Sequence, residues 1–127
     1  MELEKFGTVH DLQELFNLRS DVEGLNRLIN PEATLTPKLD LFDAGESYRV
    51  IVEVPGITQD NLEVNVQDST LTVAGIREPA AQEMRLISSE RPSGHFQRTV
   101  ELPGEVQSEA SQAYLSNGLL ILNLPKA

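Results

Sequence analysis

The sequence predicts an all-β fold, a sandwich of antiparallel sheets, preceded by a helical amino-terminal arm. Two observations carry this. From Pro37 onward apolar residues recur with a period of two, with no helical run. Near the carboxyl end, Asn117-Gly118 joins two apolar runs, Ala113-Tyr114-Leu115 and Leu119-Leu120-Ile121-Leu122. Asn-Gly is the strongest short hairpin signal, because a type I′ turn needs φ > 0 at both central residues.

The arm comes first. In residues 1–34, Thr8-Val9-His10-Asp11 fits a capping-box start, and Pro31 ends the helical stretch. Leu12, Leu15, Phe16, Val22, Leu25 and Ile29 recur at roughly helical spacing. Ser20-Asp21-Val22-Glu23 fits the start of a second, shorter helix after a break. Such a stripe needs cover, either from the chain's own domain or, as an exposed arm, from a partner.

Residues 35–127 form the expected domain. Leu39 and Leu41 alternate with Lys38 and Asp40; Tyr48, Val50, Val52 and Val54 with Arg49, Ile51 and Glu53. Leu62, Val64 and Val66 alternate with Glu63 and Asn65, and Leu71 and Val73 with Thr70 and Thr72. Each reads as a half-buried strand. Turn residues separate them: Ala44-Gly45, Pro55-Gly56, Gln67-Asp68-Ser69 and Gly75. Residues 77–93 break the rhythm with a loop-like Glu78-Pro79-Ala80-Ala81-Gln82, then Met84, Leu86 and Ser88 in the alternation of a short extra strand. Further strands are expected over 95–102, 109–115 and 119–124.

Composition narrows the function. The chain has 127 residues, 39% of them hydrophobic, enough for one modest domain and an arm. It has no cysteine, which removes disulfides, thiolate metal sites and cysteine nucleophiles and fits the cytoplasm. No run approaches the ~20 apolar residues of a membrane span, and the start Met1-Glu2-Leu3-Glu4-Lys5 does not read as a signal peptide. A net charge of −10 opposes nucleic-acid binding, which needs clustered Lys and Arg. The histidines, His10 and His95, are isolated, and no phosphate loop, nucleophile elbow or metal-ligand spacing occurs. No cofactor, metal or enzymatic activity is expected. Glu101 and Glu105 read as solvated turn residues and Tyr114 as a packing residue.

Several motifs, taken together, resemble a known family. They are Val54-Pro55-Gly56-Ile57, Leu62-Glu63-Val64-Asn65-Val66, Leu71-Thr72-Val73-Ala74-Gly75, then Gly94-His95-Phe96-Gln97-Arg98, and finally Ala113-x-x-x-Asn117-Gly118-Leu119-Leu120 closed by Leu124-Pro125. In this order, over about 37–126, they resemble the α-crystallin domain of bacterial small heat shock proteins. The resemblance implies an immunoglobulin-like sandwich of two antiparallel sheets. It implies an ATP-independent chaperone that holds partly unfolded client proteins soluble. It also implies a homodimer in which residues 84–89, within a strand-exchange loop of about 77–93, pair with residues 38–42 of a second copy. The dimer-interface residues would then be Leu39, Leu41, Met84, Leu86 and Arg98.

Arg98 carries an argument of its own. It is in phase with Phe96, Val100 and Leu102, so a permanent charge points toward an apolar face. It must snorkel, meet a carboxylate, with Glu90 as a candidate, or lie at an interface. The family places the matching arginine at the dimer interface.

Client binding is expected from Leu12, Leu15 and Phe16 of the arm and from Val64 and Val66. By the resemblance the two valines line a groove between the third and seventh strands, with Ala110 and Gln112 opposite. Family members usually carry an Ile-x-Ile or Ile-x-Val tail that docks in this groove and builds large oligomers. The sequence ends at Ala127 without it, so either the assembly stays small, with the dimer as its unit, or the native chain continues past Ala127. A co-chaperone or adaptor module on the same sandwich is the alternative reading; such modules usually lack the exchange loop and the Gly-x-Phe-x-Arg strand.

Overall fold

The computed structural model describes residues 18–19, 35–79 and 83–127. Eight strands occur in chain order: β1 (Leu18–Arg19), β2 (Leu39–Asp43), β3 (Ser47–Glu53), β4 (Leu62–Gln67), β5 (Thr70–Arg77), β6 (Gly94–Glu101), β7 (Gln112–Ser116) and β8 (Leu119–Pro125). They form two four-stranded sheets, ordered β1-β4-β5-β6 and β2-β3-β8-β7. All pairings within them are antiparallel except that of β1 with β4. The all-β sandwich is therefore as expected.

The period-two pattern builds the core. Val50 and Val52 of β3, Val64 and Val66 of β4, Leu71 and Val73 of β5, Phe96 of β6, and Leu120, Leu122 and Leu124 of β8 all turn inward and are buried. Each fully buried aliphatic or aromatic side chain contributes about 1.5–3 kcal/mol. A smaller cluster, Tyr114 and Ile121 with Ile51 and Leu119, packs apart from the core, which accounts for Tyr114 as a packing residue.

The turns behave as their residues require. Asn117 and Gly118 have φ of 53° and 77°, the left-handed pair of a type I′ hairpin joining β7 to β8. The Gly118 carbonyl then accepts the Val54 N–H at 2.8 Å, which fastens the end of β3 to the hairpin.

Three expectations change. The arm is expected to be helical, but its described piece, Leu18–Arg19, is a strand; the rest of residues 1–34 lies outside the described residues. No strand forms among the described residues 83–93, and no described strand pairs with them. Strand β7 starts at Gln112 rather than 109, since Ser108–Ala110 forms a 3-10 turn. There the Ser111 hydroxyl donates back to the Gln107 carbonyl at 2.9 Å.

Candidate functional site

The candidate site is an edge strand together with an apolar loop. Strand β2 pairs with β3 alone, in the register Leu39↔Val52 to Asp43↔Tyr48, and ends its sheet. An edge strand offers backbone N–H and C=O groups to any extended segment that can lie beside it. Leu39 is half-buried against the core, whereas Leu41 and Phe42 are 38% and 49% exposed.

Both ends of β2 are anchored. At its start the Arg98 guanidinium donates to the Pro37 carbonyl at 2.7 Å. At its end Asp43 takes an ion pair from Lys126 at 2.9 Å and accepts the Gly45 N–H at 2.9 Å. The Lys126 ammonium also lies 4.9 Å from the centre of the Tyr48 ring. The hydrogen bond from Lys126 and that from Gly45 hold the Asp43 carboxyl below the usual aspartate range. The same bond to Asp43 raises Lys126. Glu101 is likewise lowered, by the hydroxyls of Ser69 and Thr70.

These directions fix a pH dependence. A lowered carboxyl stabilises the fold above its unfolded pKa, and the contribution is lost as pH falls through the lower folded value. The gap in Tm between the parent and Asp43→Asn is thus expected at neutral pH, should narrow as pH falls below the ordinary aspartate value of about 3.9, and should close once pH is below the lowered folded value. A gap that persists in acid would show that Asp43 acts by packing rather than by charge.

The loop between β5 and β6 is the second component. Met84 and Leu86 are each 71% exposed and Ile87 is 86% exposed. With Glu78, Arg85 and Arg91 they border an open concavity of about 470 Å³. Contiguous large apolar side chains left in water mark an interaction surface. Sequence reasoning misses Ile87 and Phe42. Ile87 is out of phase with Met84 and Leu86, and Phe42 lies just past the alternation that identifies β2. Only their exposure singles them out.

The other expected site residues lie as follows. Val64 and Val66 are 0% and 1% exposed and pack in the core between the sheets. The β4 edge is occupied by the pairing of Leu18 with Val64 and Arg19 with Asn65, and the Ser108 hydroxyl donates to the Val66 carbonyl at 3.0 Å. Arg98 is half-buried and donates to the Pro37 backbone carbonyl, and Glu90 of the same chain is exposed. The strand pattern sets the charge facing inward, but the entry into β2 brings a carbonyl to it first. Leu12, Leu15 and Phe16 lie outside the described residues.

A hydrogen bond from a charged donor is worth about 1.5–3 kcal/mol. Arg98→Ala is therefore expected to destabilise the domain by about 1–2 kcal/mol at this part-buried site, and Arg98→Lys to recover part of the loss. Thermal or urea unfolding reads the difference. Equal stability of the alanine variant and the parent would show that the bond to Pro37 carries no weight.

Comparison with known proteins decides the family. The sequence model of the Hsp20/alpha crystallin family matches residues 40–127. The chain belongs to this family. The small heat shock protein C2 of Rickettsia felis is 33% identical over 97 residues, covering 75% of this chain and 63% of its own length. Heat shock protein 16 of Schizosaccharomyces pombe is 30% identical over 127 residues, covering 95% of this chain and 87% of its own. The chain thus spans less than two thirds of the Rickettsia relative but most of the yeast one. A solved structure of heat shock protein 16.0 from S. pombe superposes with a TM-score of 0.68 at 31% identity, over 74% of this chain and 89% of that one. Among the described residues no helix is long and apolar enough to cross a membrane.

Proposed function

We propose that the protein is an ATP-independent chaperone, a holdase acting in the cytoplasm, which binds partly unfolded proteins and keeps them from aggregating. Its working unit is a homodimer in which residues 84–89 of one copy pair with the β2 edge of the other. One observation carries this reading: an extended loop with Met84, Leu86 and Ile87 in water, on a domain whose β2 edge displays Leu41 and Phe42. Each is the kind of surface that would cover the other. The relatives named heat shock proteins support the chaperone reading.

Client binding of this kind needs no turnover. Burial of exposed apolar segments contributes roughly 25 cal/mol per Å² whatever their sequence, so specificity is loose. The net charge of −10 keeps such a complex soluble.

Light scattering of a heat-denaturing client, without nucleotide, tests the reading. A holdase suppresses scattering near stoichiometric ratios; an adaptor module leaves it unchanged. In the same assay, replacing Leu12, Leu15 and Phe16 with Ser is expected to weaken suppression severalfold while thermal unfolding of the sandwich changes little. Full activity of that variant would remove the arm from the client site.

A further inference from the structure

A strand laid on the β2 edge must take one register out of several, and the side chains of the two segments select it. Strand β2 carries Leu39 and Leu41 on the face of Val50 and Val52, which is the core face. It carries Asp40 and Phe42 on the other face, beside Ile51 and Arg49. Residues 84–89 alternate in the same way: extended, they put Met84 and Leu86 on one side and Arg85 and Ile87 on the other. Along β2, Met84 and Leu86 belong on the side of Leu39 and Leu41, because that side continues the core.

One register in each direction forms both apolar pairs. In a parallel alignment Met84 meets Leu39 and Leu86 meets Leu41. In an antiparallel one Met84 meets Leu41 and Leu86 meets Leu39. The residue midway along one segment then meets the residue midway along the other, so in both directions Arg85 lies opposite Asp40. A slip by two residues loses one apolar pair to Pro37 or Asp43 and sets Arg85 against Lys38 or Phe42. A slip by one residue turns the apolar side to the wrong face.

The central pair is also chemically matched. Arg85 and Asp40 are both exposed, and among the described residues neither has an ion pair within the chain. Opposite charges directly across adjacent strands attract, and like charges repel. A two-fold dimer makes the contact twice, since each copy gives its loop and receives the other's.

We propose that Arg85 of one copy pairs with Asp40 of a second copy, and that this charge pair fixes the exchange register and makes the β2 edge selective for this chain. The pairing rests on the strand-exchange reading above. The apolar pairs alone accept any extended segment of the same alternation; a segment with an acidic residue between its two apolar ones is rejected by Asp40.

Sedimentation of the full chain across a dilution series tests it. Asp40→Arg and Arg85→Asp each turn two attractions into two repulsions, so each should weaken dimerisation roughly ten- to hundredfold. The double variant carries the pair reversed and should recover most of the loss. In an equimolar mixture of the two single variants, heterodimers should exceed the statistical share, because both contacts then join Arg to Asp; native mass spectrometry counts them. The single-variant penalties should shrink in about 1 M salt, which screens exposed charges. Single variants that dimerise as the parent does, a double variant no tighter than the weaker single one, or a statistical mixture would overturn the pairing. Removing residues 80–90 separates the two readings. A dimer that survives the deletion ends the strand exchange and this pairing with it; a dimer lost on deletion but indifferent to charge reversal ends the pairing alone. Should Asp40→Arg not fold by circular dichroism, Asp40→Lys takes its place in the same series.

Discussion

Replacing Gly75 with alanine is expected to unfold much of the population at temperatures the parent withstands. Gly75 lies in β5, between Leu62 of β4 and Phe96 of β6. A Cβ built there would sit 2.6 Å from the Asn61 backbone oxygen and 2.6 Å from the Phe96 ring. The ring is 1% exposed and packed within the core, so it has little room to retreat. Overpacking of this kind costs about 1–3 kcal/mol and sometimes more, and with backbone on one side the upper end is expected. For a domain of this size that is a fall in Tm of about 10 °C or more. Gly45→Ala is the contrasting case. Its φ of 93° strains any side chain, but nothing lies within 4 Å, so only the conformational cost of about 1–2 kcal/mol applies. Adding Phe96→Leu to Gly75→Ala should relieve the ring contact but not the one to Asn61, and rescue should be partial. A Gly75→Ala variant as stable as the parent would mean that β4 and β6 part easily at this point.

The range of the forces involved decides how much of this fold is legible in sequence. Alternation identifies β3 to β5 because each has one face against the other sheet, and that demand is written residue by residue; β2 alternates too, although only its Leu39 packs on the core. Asn117-Gly118 is legible for the same local reason. Gly75 reads as a turn residue, however, because close approach of Phe96 from β6 is a tertiary fact. Val64 and Val66 show the limit for function: alternation identifies them as inward-facing, and only the resemblance makes them groove residues. The structure shows both side chains in the core. Arg98 reads as a charge that needs a partner, and within the chain it donates to the Pro37 carbonyl, 61 positions away. No pattern in sequence marks which backbone group will arrive there. The loop is conspicuous for breaking the pattern, and Ile87 within it is not, since exposure has no period.

Removing residues 80–90 is expected to convert the proposed dimer into monomers that keep the sandwich. The described part of this loop contributes nothing to the core, whose residues all lie outside it. Far-ultraviolet circular dichroism and cooperative unfolding should therefore survive the deletion. The interface should not survive it. Burying a Leu or Met side chain is worth about 1.5–3 kcal/mol, and the loop carries Met84, Leu86 and Ile87, each more than two thirds exposed in the single chain. The milder variant Leu86→Asp exchanges one such gain for the cost of drying a carboxylate. At 1.4 kcal/mol per tenfold, it should weaken dimerisation by about a hundredfold. Two features of β2 make the effect specific to the loop. Its register with β3 is set over the whole length Leu39–Asp43, and its ends are held by Arg98 and Lys126, so neither variant disturbs the strand that receives the loop. Sedimentation across a dilution series measures the outcome. A deletion variant that sediments as a dimer with the parent's dissociation constant would show that these copies meet through another surface, and the apolar loop would then have to be explained by what it does to clients.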